Sequence, residues 1–148
     1  SKYASNVFGY MKVIFGNLLA DVSYALEQKF KLEKINSSVE YEKVKEVISA
    51  DPRIGPAWLN VEHGDYCGAG GYCFPKDMNA FIVFIEKDLI DKLDKRDKNL
   101  VVSLKSGVSM LKAVRNYNRS LLKWQGLTEE EVSKHNHELV VSKRKPIR

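Results

Sequence analysis

The residues of this chain best suited to chemistry lie in one stretch, Gly68-Ala69-Gly70-Gly71-Tyr72-Cys73-Phe74-Pro75-Lys76-Asp77. Its glycines free the backbone to approach a ligand closely. Cys73 follows, then Pro75, which suits the first turn of a helix. Lys76 and Asp77 fall in that turn. A thiol, an ammonium and a carboxylate thus converge where a glycine loop ends and helix amides begin. A helix N-terminus and a nearby cation both favour the ionised, nucleophilic form of a thiol. The same residues also read as a tight turn with a buried, inert cysteine, since free Cys is among the most buried residue types.

Two further groups carry polar chemistry. Lys2 and Asn6 stand at i,i+4 spacing, so on a helix they share a face and could present an ammonium and an amide together. On spacing alone, two solvated side chains are the plainer reading. His63, Cys67, Cys73, His135 and His137 invite a zinc reading. The His-x3-Cys and Cys-x5-Cys spacings are not those of paired zinc ligands, and a thiol with surface histidines is expected instead, with no metal.

The elements that must position these residues read as helices. Residues 2–30 form one long helix, with Met11, Ile14, Phe15, Leu18, Val22 and Ala25 as a broad apolar face to be buried by the chain's own later helices. The opposite face is small, with Ser5, Gly9, Gly16, Ala20 and Ser23. Helix glycines are unfavourable by about 1 kcal/mol each against Ala, so something must come close there, either another helix backbone or a ligand, and the helix of a symmetry mate is expected. At 1.5 Å per residue the helix would span about 43 Å, long enough for a spine shared between subunits.

A capping box at Ser37-Ser38-Val39-Glu40 predicts a helix over 39–49, ended by Asp51-Pro52. Residues 51–72 show no period, and a loop so long in a compact domain is usually functional. Pro75 opens a helix to about Lys87. Another follows over 98–125, striped by Val101, Leu104, Val108, Leu111 and Leu122, and Gly126 ends it. Thr128 to Glu131 is a second capping box, and Val140-Val141 reads as extended or frayed. No strand pair is evident, so the fold class is all-α.

Composition narrows the function classes. With 24 basic and 19 acidic residues the formal net charge is +5. The charges of 91–98 are intermixed and read as a solvated turn. Lys143-Arg144-Lys145 and Arg148 read as a frayed, solvated end, and no nucleic-acid motif accompanies them. No apolar run reaches the roughly 18 residues of a membrane span, and no leader pattern opens the sequence. Two cysteines are too few for a disulfide scaffold, so a reduced, cytoplasmic setting is expected. The sequence has no Gly-x-Gly-x-x-Gly between a strand and a helix, so dinucleotide binding in the Rossmann manner is not expected of this chain.

The cysteine stretch resembles the motif Gly-Phe-Gly-Gly-x-Cys-Phe-Pro-Lys-Asp of the UDP-glucose/GDP-mannose dehydrogenase family, and only Ala69 departs from it. Ser1-Lys2-Tyr3-Ala4-Ser5-Asn6 resembles the family's Lys-x-x-x-Asn, and Asp51-Pro52-Arg53-Ile54-Gly55 its Asp-x-Arg-Ile-Gly, in the same order. Residues 78–148 resemble the family only loosely. The resemblance implies a single helical domain over 1–148, like the C-terminal helical domain of 6-phosphogluconate dehydrogenases. Residues 1–77 would be the central, dimerising region and 78–148 a helical extension. Residue 1 would then follow a cut at a domain boundary.

The resemblance also implies an activity. Family members use NAD to oxidise the C6 alcohol of a nucleotide-linked hexose to a uronate, and the NAD would be bound by a domain outside this chain. Cys73 matches the nucleophile of the second oxidation. Lys2 and Asn6 match the oxyanion donors. Asp77 matches a base for the hydrolytic water, or a group that orients Lys2. Arg53 matches an arginine that reaches the substrate from the partner of a homodimer, and Gly70 and Phe74 match positions lining the sugar pocket. The rival reading is a helical oligomerisation module without chemistry.

Overall fold

The computed structural model describes residues 1–62, 64–134 and 136–147. Helix α1 spans Lys2–Leu32 and ends where Lys34 turns to a left-handed φ of 55°. Helix α2 spans Tyr41–Ser49. The expected capping box before it does not form. Glu40 is the N-cap without a side-chain cap bond, and its carboxylate pairs with Lys43 at 3.0 Å instead. The long loop that follows holds one isolated antiparallel bridge, Glu62 with Cys67.

Helix α3 spans Phe74–Val83 with Pro75 in its first turn. It does not stop near Lys87. The chain winds on as a π-helical segment, Phe84–Ile90, and then as α4, Asp91–Leu93. The wider i→i+5 winding lets both Ile85 and Ile90 reach the core. The solvated turn expected over 91–98 is therefore confined to its later part. Asp97 ends that turn as the cap of α5, its carboxylate accepting from the Leu100 N–H at 3.0 Å.

Helix α5 spans Lys98–Trp124, and Gly126 closes it with φ +76°. Helix α6, Glu129–Ser133, carries the capping box read from Thr128 and Glu131. The segment with Val140-Val141 is neither extended nor frayed. It is helix α7, His137–Lys143, with the Asn136 side chain accepting from the Leu139 N–H. Val140 holds it down by packing with Tyr66, Leu122, Leu127 and Val132. The basic end is docked as well. Lys143 pairs with Glu131, Arg144 with Glu62 at 2.7 Å, and the Lys145 N–H donates to the Gln125 carbonyl at 2.9 Å. Arg148 lies outside the described residues.

The main core joins Val7, Tyr10, Val13 and Ile14 of α1 to Met78, Ile82 and Ile85, and to Val108, Leu111 and Leu121 of α5. The described residues thus form an all-α fold organised on α1. None of their helices is long and apolar enough to cross a membrane.

The two faces of α1 exchange the roles expected of them. The small face is filled by the chain itself: a Cβ on Gly9 would sit 2.8 Å from the Phe74 ring, and one on Gly16 would sit 2.9 Å from the Tyr41 hydroxyl. These glycines let the loop and α3 approach, and leave no room there for a second helix. Of the expected apolar face, Ile14 is buried, but Phe15, Leu18, Val22 and Ala25 are exposed. The later helices reach α1 on the side of Val7, Tyr10 and Ile14, because α3 lies against the small residues.

Candidate active site

Cys73 is the N-cap of α3 and is half-buried. The preceding glycine loop delivers it there with two left-handed turns, at Gly68 (φ +109°) and Gly71 (φ +72°). Its carbonyl accepts from the Asp77 N–H at 2.8 Å, the first turn of the helix. One turn on, therefore, the Asp77 carboxyl lies on the same side of α3 as Cys73.

Asp77 is only 1% exposed. A carboxylate so placed needs partners, and it has two. Asn6 of α1 donates from Nδ2 to Oδ2 at 2.5 Å, and the Lys76 ammonium stands 3.6 Å from Oδ1. Lys76 also lies over the Tyr72 ring, 4.9 Å from its centroid. The first turn of α1 and the first turn of α3 thus meet at one carboxylate. Lys2, a turn before Asn6, is exposed, so the observed cation on Asp77 is Lys76 and not Lys2.

Aromatic packing fixes the other side of Cys73. Phe74 meets Trp58 edge to face with centroids 6.0 Å apart, and both rings lie against Gly9. Trp58 holds a left-handed φ of 62°, a strained state for a bulky residue. Gly70 is buried over Tyr66, whose hydroxyl a Cβ would approach to 2.0 Å. Phe74 and Gly70 both pack against side chains of their own chain. A groove of about 570 Å³ between the first turn of α3 and α6 is lined by Tyr72, Pro75, Lys76, Asn79, Glu129 and Ser133, among others.

Arg53 is exposed and forms a fork-like pair with Asp51, Nη2 to Oδ2 at 2.6 Å and Nε to Oδ1 at 3.0 Å. Asp51 is held below the usual carboxylate range by that guanidinium. The turn is tied to α1 where Lys12 donates to the Ile54 carbonyl at 2.5 Å. Of the zinc reading, His63 and His135 lie outside the described residues. His137 pairs with Asp65, and the described residues hold no group of three metal-ligating side chains.

Tyr72, Trp58, Asn118 and Gln125 were not singled out by sequence. Asn118 on α5 and Gln125, the C-cap of that helix, are fully buried and bond the backbone of Ala69 and Cys67. Two amides on the otherwise apolar stripe of α5 were the available signal.

Comparison with known proteins agrees with these features. The UDP-glucose/GDP-mannose dehydrogenase family, central domain, matches residues 1–93. A UDP-glucose 6-dehydrogenase of Rickettsia felis is 37% identical over 90 residues, covering 61% of this chain and 17% of that protein. One from Pseudomonas aeruginosa is 35% identical over 91 residues, covering 62% of this chain and 17% of that protein. The chain thus spans about a sixth of the length of the curated relatives it matches. No solved structure matches it. With Cys73 at the head of α3, the Asp77 carboxylate tied to Asn6, and a family match over most of its length, this chain belongs to the UDP-glucose/GDP-mannose dehydrogenase family, of which it carries the central domain.

Proposed function

We propose that this chain supplies the nucleophile and part of the oxyanion site of an NAD-dependent nucleotide-sugar 6-dehydrogenase, working within a longer protein. The observation that carries the reading is the Cys73–Asp77–Asn6 arrangement at the junction of α1 and α3. The described residues offer helices and one isolated bridge. They have no strand and glycine turn to cradle a dinucleotide, so NAD does not fit this chain and would be held elsewhere.

The steps assigned here concern the chain's own residues. The Cys73 sulfur adds to the C6 aldehyde carbon, forming a C–S bond and leaving charge on oxygen. Donors stabilise that oxygen best when they are fixed in place. Asn6 is such a donor because Asp77 holds its amide, and Lys2 supplies a mobile cation on the same end of α1. NAD, held outside this chain, would take the hydride from C6 and so leave a thioester on Cys73; Asp77 then accepts a proton from the water that cleaves it, and the thiol is restored. Lys76 keeps a cation beside that carboxylate.

A homodimer forms part of the same proposal. Phe8, Met11, Phe15, Leu18 and Val22 recur on α1 at alternating three- and four-residue steps, the spacing of a helix–helix seam. Phe8 is 62% and Phe15 54% exposed. A second copy packed along this seam would bury them and bring Arg53 of each chain to its partner's substrate. The seam equally suits the rival reading of a plain oligomerisation module.

Activity separates the two. In the longer protein, a panel of UDP- and GDP-linked hexoses with NAD should yield NADH and a uronate. Cys73→Ser should stop at the first oxidation, since a serine hydroxyl is a far poorer nucleophile at neutral pH. Normal uronate formation by that variant would remove Cys73 as the nucleophile.

A further inference from the structure

The loop that delivers Cys73 is gripped by two side-chain amides of α5. The Ala69 N–H donates to Asn118 Oδ1 at 2.8 Å, and Asn118 Nδ2 donates back to the Ala69 carbonyl at 2.9 Å. The Cys67 N–H donates to Gln125 Oε1 at 2.7 Å, and Gln125 Nε2 donates back to the Cys67 carbonyl at 2.8 Å. Asn118 and the C-cap Gln125 stand about two turns apart at the end of α5, hence on one side of it. Together they offer Cys67 and Ala69 the donor–acceptor pairs that a neighbouring strand would offer.

We propose that Asn118 and Gln125 are positioning residues, which hold the 67–69 segment on either side of its turn at Gly68 and so fix where Cys73 meets the head of α3. The proposal rests on the reading of Cys73 as the nucleophile. Glycine loses more freedom on ordering than any other residue, so this loop needs external partners to stay in one state. The clamp is tight enough to require glycine beside it: a Cβ on Gly68 would lie 2.6 Å from Asn118 Oδ1. The end of the chain closes the outer side. The Gly71 N–H donates to the Val132 carbonyl at 3.1 Å, and Arg144 bonds both the Asp65 carbonyl and Glu62. Every one of these holding groups lies beyond residue 93, where the family match ends. The part of the chain least like the family therefore carries the support of its reactive loop.

The test has two measurements on this chain. In the wild type, amide exchange followed by NMR should show Cys67 and Ala69 protected at least 100-fold over the urea-unfolded chain. Protection below that overturns the clamp, whether or not any variant folds. The second measurement is the iodoacetamide alkylation rate of Cys73, read on its own peptide by mass spectrometry. Asn118→Leu and Gln125→Met keep the approximate shape and remove the bonds. In whichever of them folds, the rate should move at least five-fold toward that of the unfolded chain. Val101→Ala, a core truncation near the far end of α5, should leave it within two-fold. A clamp variant that leaves the rate within two-fold overturns the positioning role. So does an equal shift by Val101→Ala, because general loosening would then explain the effect. Failure of the nucleophile reading shows separately, as uronate formation by Cys73→Ser, and leaves the exchange pattern unchanged.

Discussion

Asn6 and Asp77, 71 residues apart in sequence, are joined by a 2.5 Å hydrogen bond from the Asn6 amide to the Asp77 carboxylate. The bond closes α1 onto α3 at the point where Cys73 begins the second helix. Removing the amide leaves the buried Asp77 carboxylate under-satisfied, at about 1–3 kcal/mol. Asn6→Ala should therefore lower the thermal midpoint by several degrees, followed by circular dichroism at 222 nm. A double-mutant cycle with Asp77→Asn should give non-additive losses. Additive losses would show that the two side chains do not share their energy.

Two glycines should respond oppositely to the same substitution. Gly9→Ala puts a methyl 2.8 Å from the Phe74 ring and 3.2 Å from Trp58. Overpacking of this kind typically costs about 1–3 kcal/mol. It should also shift the emission of Trp58, read in a Trp124→Phe background. Gly107 lies inside α5 with nothing within 4 Å of a built Cβ, so Gly107→Ala should gain about 0.5–1 kcal/mol from helix propensity. Urea titration of both variants checks the contrast.

Light scattering at tens of micromolar should report a dimer of this chain. Phe15→Asp, on the exposed seam of α1, should yield monomer with the fold intact. Gly16→Leu should behave differently. Its side chain would displace Tyr41, whose hydroxyl donates to the Leu59 carbonyl at 2.5 Å, so it should lose stability without a specific loss of dimer. A wild-type monomer, or a dimer untouched by Phe15→Asp, would take the seam out of the proposal.

Tyr41 gives a pH signature. Burial, with a smaller contribution from Glu42, pushes its phenol from about 10 up to about 12. The folded state thus favours the neutral phenol that donates to Leu59. This stability is present in full below pH 10 and is lost as pH rises towards and through 12. Burial raises Tyr10 and Tyr66 in the same direction. The urea midpoint should therefore fall between pH 9 and pH 11.5, and fall less in Tyr41→Phe. An equal fall in that variant would assign the alkaline loss to the other tyrosines.

The sequence by itself determined most of the helices and which residue types stand at the head of α3. Periodicity and punctuation are local: the stripe of α5, the stop at Gly126, the Thr128 capping box and the Pro75 start all follow from residues near one another. The motif from Gly68 to Asp77 likewise placed a thiol before a helix, because a glycine run and a proline constrain the backbone wherever they occur. Only the tertiary structure decided which face of α1 is covered. Spacing gives the angle between side chains on a helix but not the direction from which a partner arrives. Here Phe74, Trp58, Tyr41 and Leu59 come in over Gly9 and Gly16 and leave Phe8 and Phe15 outside. The same holds for Asp77, whose amide partner Asn6 comes from the far end of the sequence, and for the amides of Asn118 and Gln125. The docked basic end belongs here as well: Arg144 reads as a solvated charge until the fold brings Glu62 and the Asp65 carbonyl beside it. Each is a contact between residues distant in sequence, and such a contact exists only once the chain has closed.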